Sequence, residues 1–330
     1  MKTLVIGATG FIGKHLVKAL YGKGHDVRCA VRKSSNIEDF KRLNVEICYA
    51  DLLDPYSLKK AIEEVNFIFH CAGEIYSNNP EEHEKINVVG TKNVFDVCVN
   101  SRIDKIVYFS SIAATGPSPS TNKSILLNEN SPYHPINAYG VSKYKAEIMA
   151  MEFFHKNKVP LVILRLPVIY GPGIKEFSRV FLFLSMIRKK IYRVIGKGEN
   201  LMSLCYIDNL IQGALLSAME QKSTGKIFLI ADKHPYTINE IVQLIAKEEK
   251  IQLNDFHIPI SLAHMILLSM LIFSKFSNFQ PYLTSNLIKE ATSNWGCDIT
   301  RAQKELHYNP TIEFEEGVKK TVAWYMQHFN

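Results

Sequence analysis

The chain lacks the features that mark several large classes of protein. Its 330 residues contain no internal repeat, and its six cysteines form no C-x-x-C pair and no cluster with histidines at the spacing of zinc ligands. We therefore expect neither a metal site nor a disulfide framework. The net charge is +7, but the basic residues are scattered along the chain, so no nucleic-acid surface is expected.

Long apolar runs are also scarce. The N-terminus reads MKTLVIGATGFIG, a strand pattern without the apolar core and cleavage site of a signal peptide, so we expect a cytoplasmic protein. The exception is the stretch 258–273, whose 16 residues are almost all apolar. A membrane-spanning helix needs about 20 residues, which disfavours a true span. A buried or lid helix and an interfacial helix in peripheral contact with a membrane both stay open.

The rest of the composition is that of a globular protein, with 47% apolar and 22% charged residues. Short runs rich in Val, Ile and aromatic residues alternate with segments of helical periodicity. Strands that are apolar on both faces and are separated by helices predict an α/β fold with a doubly wound parallel sheet. The predicted strands are 3–6, 27–31, 45–49, 67–70, 106–109, 161–164 and 226–231.

The alternating pattern becomes less regular after residue 171. We divide the chain into a nucleotide-binding core over 1–171 and a smaller, mainly substrate-binding C-terminal lobe over 172–330, with core elements returning at 206–231. No linker rich in Pro, Gly or Ser separates the two parts, so the lobe is expected to pack on the core. The cleft between them would hold a substrate.

A glycine-rich turn follows the first predicted strand. Gly7, Gly10 and Gly13 lie between that strand and an amphipathic helix that begins near Phe11. A chain that turns tightly toward a pyrophosphate needs missing side chains there, and the free N–H groups of the helix would face the anion. Because a strand comes directly before the turn and a helix directly after it, the motif predicts a dinucleotide site.

The end of the second predicted strand bears on which dinucleotide is bound. An NAD site typically carries an Asp or Glu there, about 20 residues after the glycine turn, to hold the ribose hydroxyls. This chain has Arg32 and Lys33 instead. A guanidinium without a carboxylate suits a 2′-phosphate, so we predict NADP as the preferred cofactor, with NAD as the alternative.

Tyr139 and Lys143 are four residues apart in a long helical pattern and therefore share one face. A tyrosine hydroxyl can exchange a proton with a substrate oxygen if its pKa falls from about 10 toward 7, which requires about 4 kcal/mol. An ammonium about 4 Å away supplies roughly that energy at an effective dielectric constant of about 20. Ser110 and Ser111 end the strand before this helix, and one of them could donate to the same substrate oxygen.

With these motifs in place, the chain resembles the extended short-chain dehydrogenase/reductase superfamily, also called the NAD-dependent epimerase/dehydratase family, over nearly its whole length. The resemblance rests on GATGFIG at 7–13, Asp51-Leu52, HCAG at 70–73, Asn87, SSIAATG at 110–116, Tyr139, Lys143, LRLPVIYGPG at 164–173 and YIDN at 206–209. It implies an NAD(P)-binding Rossmann fold, and a homodimer built on paired long helices.

The resemblance also implies roles for individual residues. The family's catalytic serine lies five residues before the glycine of its loop, which selects Ser111 and leaves Ser110 as its structural neighbour. The implied cofactor contacts are Phe11 and Ile12 in the glycine turn, Asp51 and Leu52 at the adenine, Ala72 and Gly73 beside the cofactor, Asn87 near its ribose, and Pro167 near the nicotinamide.

Departures from the patterns of known subfamilies reduce the number of reactions that the chain could catalyse. The 4,6-dehydratases carry an Asp-Glu pair after the catalytic serine, whereas this chain has Ile112-Ala113, so dehydration is disfavoured. The 4-epimerases typically carry an Asn after the sixth strand, where this chain reads Arg165-Leu166-Pro167-Val168. The sequence looks more like the dihydroflavonol-reductase and 3β-hydroxysteroid-dehydrogenase branch.

The leading hypothesis is therefore an NADP(H)-linked oxidoreductase that interconverts a ketone and a secondary alcohol, acting on an apolar hydroxy or keto compound. The alternatives are a nucleotide-sugar epimerase that removes and returns a hydride, and a non-catalytic NADP-binding scaffold. The intact set of Ser111, Tyr139 and Lys143 argues against the scaffold, because binding alone does not need it.

Overall fold

The first half of the chain alternates strands and helices. The computed structural model describes residues 1–119, 125–174, 178–253, 257–274 and 284–329. Its first elements are β1 Lys2–Ile6, α1 Phe11–Gly22, β2 Asp26–Val31, β3 Glu46–Tyr49, α2 Pro55–Ala61, β4 Phe67–His70, α3 Pro80–His83, α4 Thr91–Cys98, β5 Lys105–Ser111, α5 Ala138–Asn157 and β6 Leu161–Leu166. A π-helical segment, Glu84–Gly90, joins α3 to α4.

The second half has shorter strands. They and their helices are β7 Val168–Tyr170, α6 Arg179–Arg188, β8 Val194–Ile195, β9 Leu201–Met202, β10 Leu204–Tyr206, α7 Ile207–Met219, β11 Ile227–Leu229, β12 Tyr236–Thr237, α8 Ile238–Glu248, β13 His257–Ile258, α9 Ile260–Ser274, α10 Ser285–Thr292, α11 Thr300–Leu306 and α12 Phe314–His328.

Seven strands form one sheet in the order β11-β6-β5-β4-β1-β2-β3, and every pair in it is parallel. The chain moves outward from β1 in one direction to β3 and then returns to continue from β4 in the other. The carboxyl ends of β1 and β4 therefore border the crevice where such sheets bind ligands. The predicted doubly wound α/β fold is confirmed.

Neighbouring residues of each central strand enter opposite cores. Val5 and Val107 belong to the apolar cluster that includes α1 and α7, whereas Leu4 and Ile106 belong to the cluster that includes α2 and α4. All four side chains are fully buried. The sheet is covered on both faces, which is why its strands read as continuous apolar runs instead of alternating patterns.

Strand boundaries differ from the predicted ones mainly at β5. The strand extends from residue 105 to Ser111, beyond the predicted 106–109, so both serines belong to its carboxyl end. In the later half of the chain, β11 joins the same sheet beside β6. The proposed division of the chain at residues 171 and 172 stays a prediction.

The apolar stretch 258–273 contains the last residue of β13 and most of α9. Ala263 and Leu267 are buried against α10, whereas Met265 is 65% exposed and Leu268 is 59% exposed. The helix is therefore not buried on all sides. Across the described ranges, no helix has the length and apolar character needed to cross a membrane.

Candidate active site

The glycine turn connects β1 to α1 as predicted. Gly7 has φ +88°, a conformation that side chains rarely adopt, and a Cβ there would lie 2.7 Å from the backbone nitrogen of Ala72. A Cβ on Gly13 would overlap the Gly7 carbonyl oxygen. Gly10 caps α1 without a side-chain hydrogen bond, and Phe11 opens the helix with no acidic residue in its first turn. The amides of this turn can therefore receive an anion.

The residues predicted for the adenosine end lie after β2 and β3, at the same edge of the sheet. Arg32 follows β2 directly and is exposed. Asp51 lies two residues beyond β3, where its carboxylate accepts a hydrogen bond from the Leu53 amide at 2.9 Å. Leu52 is half-buried and packs so closely on Gly90 that a Cβ there would lie 2.9 Å from the Leu52 Cβ.

Asn87 links the loop after β4 to α5. Its buried amide nitrogen donates to Ser142 Oγ at 2.9 Å and to the Glu74 carbonyl oxygen at 2.8 Å, and its oxygen accepts from the Glu74 amide at 2.7 Å. A Cβ on Gly73 would lie 3.0 Å from that oxygen. Asn87 thus holds the Ala72-Gly73 segment in place and would support a cofactor through that segment.

Lys143 is buried, with only 4% of its surface exposed. Its Nζ donates to the Phe109 carbonyl oxygen at 2.6 Å and to Tyr108 Oη at 2.9 Å. The same nitrogen lies 4.5 Å from the centre of the Tyr108 ring. Burial lowers the pKa of Lys143 to about 8, because removal from water disfavours the charged form. The two neutral acceptors hold an ammonium at the carboxyl end of β5.

Tyr139 lies one turn before Lys143 on α5. Its half-buried ring is 5.9 Å from the ring of His83, measured between centroids. The Asn137 side chain caps the helix by accepting a hydrogen bond from the Gly140 amide at 2.7 Å. A Cβ on Gly140 would overlap the Ala113 carbonyl oxygen, so the start of the helix packs directly on the turn after Ser111. The geometry brings the predicted serine, tyrosine and lysine to one end of β5.

The two serines have different surroundings. Ser110 is buried and donates to Glu147 Oε1 at 2.5 Å. Ser111 is half-buried, and its Oγ accepts a hydrogen bond from the Ala113 amide at 3.1 Å. Accepting that bond leaves the Ser111 hydroxyl proton able to reach another acceptor. Of the two, Ser111 is the one suited to contact a substrate.

A buried ion pair on the same helix face was not predicted from the sequence. Glu147 lies four residues after Lys143, and its carboxylate accepts from Arg165 Nη2 at 2.8 Å, with side-chain exposures of 0% and 1%. Tyr133 Oη donates to the same carboxylate at 2.9 Å. The spacing of four residues from Lys143 indicates that Glu147 lies on the same helix face. Its partner Arg165, on β6, could be located only from the fold.

His70, at the end of β4, lies behind Lys143. Its Nε2 is 3.0 Å from Thr91 Oγ1, and Thr91 also hydrogen-bonds Tyr108, which holds Lys143. Burial, followed by the nearby charge of Lys143, lowers the pKa of His70 to about 3. This histidine is therefore neutral, and through Thr91 and Tyr108 it helps to hold Lys143 in position.

Pro167 is buried in the one-residue gap between β6 and β7, and the next side chain, Val168, is 39% exposed. A cavity of about 540 Å³ lies beside the segments that follow Ser111 and precede Tyr139. Its lining was not predicted from the sequence and consists of Pro117, Ser118, Pro119, His134, Ile136, Lys289, Thr292, Ser293 and Asn294.

Comparison with known proteins identifies the family of this chain and several of its relatives. A family model described as the NAD dependent epimerase/dehydratase family matches residues 3–231. The chain is 28% identical to the decarboxylating sterol-4-alpha-carboxylate 3-dehydrogenase of Mus musculus, covering 97% of this chain and 90% of the relative. It is 25% identical to the UDP-glucose 4-epimerase of Vibrio cholerae, covering 99% and 96%.

A third relative is the 2-alkyl-3-oxoalkanoate reductase of Shewanella oneidensis, 25% identical over 97% of this chain and 85% of the relative. Among solved structures, that of gox2253 superposes with a TM-score of 0.85 over 99% of this chain and 98% of the other, at 23% identity. This likeness supports the fold.

Proposed function

Because this chain belongs to the NAD dependent epimerase/dehydratase family, we propose that it is an NADP(H)-linked oxidoreductase that interconverts a ketone and a secondary alcohol. The matched relatives are dehydrogenases, reductases and epimerases, which supports an enzyme of the oxidoreductase or epimerase type in general. The observation that carries the finer proposal is the buried Lys143 ammonium, one helical turn from Tyr139 and bonded to the carbonyl of Phe109, two residues before Ser111 on β5.

The nucleotide end of the crevice fits a dinucleotide. A Cβ on Gly7 or Gly13 would clash with the backbone of Ala72 or Gly7, so glycine is needed for the turn to fold this tightly. The first-turn amides of α1 and this turn would hold the diphosphate. Arg32 would hold a 2′-phosphate. Ile12, Asp51, Leu52, Ala72, Gly73, Asn87 and Pro167 would complete the cofactor site. When bound, the nicotinamide supplies or accepts the hydride.

The chain's own residues would handle the proton. Ser111 would donate a hydrogen bond to the substrate oxygen and orient it. Tyr139 would give that oxygen a proton during reduction and take it back during oxidation. Lys143 would lower the pKa of the Tyr139 phenol through its charge and contact the nicotinamide ribose, and these groups are fixed in advance by β5 and α5.

The cavity and the relatives' names together suggest a substrate class. A sterol-4-carboxylate with a reacting position 3 and a 3-oxoalkanoate both carry the reacting oxygen two carbons from the carboxylate carbon. In this chain, Lys289 and His134 face the same cavity as the apolar Ile136. We therefore propose an apolar β-hydroxy or β-keto acid, with Lys289 as the cation nearest its carboxylate.

The test is a spectrophotometric assay of NADPH oxidation. We expect turnover with 2-alkyl-3-oxo acids that exceeds turnover with the corresponding methyl esters. Lys289→Met should raise KM for the acid and leave KM for the ester unchanged, whereas Lys304→Met, on exposed α11, should change neither. Equal activity on acid and ester would contradict the carboxylate assignment, and no NADPH oxidation with any ketone would contradict the reductase.

A nucleotide-sugar epimerase is the second candidate, favoured by the relative from Vibrio cholerae. The exposed Val168 argues against it, because an apolar side chain offers no hydrogen bond to a diphosphate or sugar. Purified protein that converts a UDP-sugar to its epimer without net change in NADPH or NADH would establish this candidate in place of the reductase.

We further propose a homodimer formed through α4 and α5, supported by the exposed Val141 and Ile148 on α5. Sedimentation velocity tests the dimer, and a single species with the mass of one chain would refute it. We also propose that the stretch 258–273 makes peripheral contact with a membrane.

A further inference from the structure

Helix α9 has an unusual surface. Its 15 residues, ISLAHMILLSMLIFS, include no charged side chain. Ala263 and Leu267 are packed against Ile288 of α10. On the outer side Met265, Leu268 and Ile272 are 65%, 59% and 52% exposed, with Leu262 at 40%. A helix that packs one stripe on a protein normally presents polar residues on the opposite face, and here the opposite face is mainly apolar.

A second exposed apolar group is linked to α9 through a pair of strands. Leu182 and Met186, four residues apart on α6, are 51% and 39% exposed, and Ile191, just after the helix, is 56% exposed. The chain then enters β8, which pairs in parallel with β13, and β13 leads directly into α9. A Cβ on Gly196, after β8, would lie 3.4 Å from the side chain of Ile260.

These two segments contain a large share of the exposed apolar surface. Of the 21 large apolar side chains that are exposed in the described ranges, nine lie at 182–191 or 260–272. Apolar side chains scattered singly over a surface need no explanation, but a concentration of this kind marks an interaction site.

The segment that contains Leu182, Met186 and Ile191 carries charge of one sign in sequence. Residues 179–197 contain six basic residues and no acidic one. Lys189, Lys190 and Lys197 are exposed. The acidic residues nearest to these elements in sequence are Glu176 and Glu199, on either side of 179–197, and Asp255, before α9. Exposed lysines beside an apolar helix match a bilayer with anionic headgroups, where the cations meet lipid phosphates and the apolar side chains enter the acyl boundary.

We propose that this protein binds anionic bilayers through a membrane-binding face made of α9, Leu182, Met186 and Ile191 with Lys189, Lys190 and Lys197, and that α9 lies in the plane of the interface. This deepens the membrane contact proposed above and does not depend on the reaction. At 15 residues, α9 is about 22 Å long, shorter than the hydrocarbon core of about 30 Å, so it lies along the surface.

A second copy of the chain is the less suitable occupant. Two such faces in contact would bring two sets of exposed lysines together, and like charges that lose their water repel each other. An anionic lipid surface has the opposite charge and no fixed shape, so it can cover a convex helix without a matching groove.

The test is cosedimentation of the full chain with vesicles of phosphatidylcholine alone or mixed with phosphatidylglycerol, at low and high salt. We expect binding to the mixed vesicles that weakens with salt. Met265→Ser/Leu268→Ser should weaken it about tenfold or more, because two apolar anchors are lost. Lys189→Gln/Lys190→Gln should weaken binding to the mixed vesicles by about tenfold or more and leave binding to neutral vesicles unchanged.

Matched controls use the same residue types elsewhere. Met219→Ser removes a methionine that is 60% exposed at the end of α7, and Lys304→Gln/Lys319→Gln removes two exposed lysines on α11 and α12. Neither should change vesicle binding. Thermal melting of each variant checks that it is folded, and NADPH turnover without vesicles separates this proposal from the proposed reaction.

Two results would overturn the proposal. One is equal pelleting with neutral and mixed vesicles, or equal pelleting of the face variants and their controls. The other is a concentration-dependent dimer in sedimentation velocity that Met265→Ser/Leu268→Ser abolishes while vesicle binding is absent, which would assign the face to a second copy.

Discussion

Replacing Lys143 with methionine should make the cofactor-free protein more stable while it abolishes activity. Burial lowers the pKa of Lys143 from 10.5 to about 8. At about 1.36 kcal/mol per pKa unit, the charged side chain then opposes folding by about 3 kcal/mol. Methionine fills the same space without charge. The Phe109 carbonyl and the Tyr108 hydroxyl lose a hydrogen-bond donor, which lowers stability by about 1 kcal/mol. The free energy of unfolding should therefore rise by about 2 kcal/mol in total.

The pH dependence of this gain follows from the direction of the shift. A lysine whose pKa is lower in the folded state carries its full penalty below pH 8, where it is charged in both states. The penalty disappears as the pH rises toward 10.5, because the unfolded side chain then also loses its proton. The stability advantage of Lys143→Met should therefore be largest near neutral pH and shrink between these two values.

The assay is urea denaturation of both proteins without cofactor over this pH range, comparing the two unfolding free energies at each pH. Lys145→Met, on the exposed side of the same helix, is the control and should differ from the wild type by less than about 1 kcal/mol at every pH. A variant that is less stable than the wild type at neutral pH, or a difference that does not change with pH, would refute the reasoning.

Three further predictions concern other parts of the site. Tyr139→Phe should lower kcat for ketone reduction by about 100-fold or more, because proton transfer is lost, while NADPH binding measured by fluorescence stays unchanged; full activity would contradict the assigned role. Arg32→Ala should raise KM for NADPH by about tenfold or more, because a charge-assisted hydrogen bond is lost, and leave KM for NADH unchanged; a wild-type KM for NADH equal to or below that for NADPH would remove the basis of this prediction. Glu147→Gln should lower the free energy of unfolding by about 3 kcal/mol, because it leaves Arg165 as an uncompensated buried charge, and a loss below about 1 kcal/mol in urea denaturation would contradict that account.

The parts of the site that depend on local spacing could be predicted from the sequence. Gly7, Gly10 and Gly13 lie in one turn, and Tyr139 and Lys143 lie in one helix, so neighbouring residues decide their geometry. The fold class followed from the alternation of apolar runs for the same reason. These features need no knowledge of which segments meet in space.

The remaining features depend on contacts between distant segments. The acceptors of Lys143 lie on β5, 34 and 35 positions earlier in the chain. Lys289 reaches the cavity only because α10 packs near the segment before Tyr139. No periodicity or motif encodes such pairings, because they depend on the order of strands in the sheet and on the packing of the later helices.

Lys143 and Glu147 show that equal spacing along a helix does not imply an equal effect on stability. Tyr139, Lys143 and Glu147 follow one another at intervals of four on one buried face of α5, yet the two charges have opposite consequences. Glu147 forms a buried ion pair with Arg165, so its charge is compensated within the protein. Lys143 meets only the neutral oxygens of a carbonyl and a phenol. Because a buried cation without a directly bonded anion opposes folding, its presence at the mouth of a ligand crevice is better explained by what it does to a neighbouring phenol than by stability.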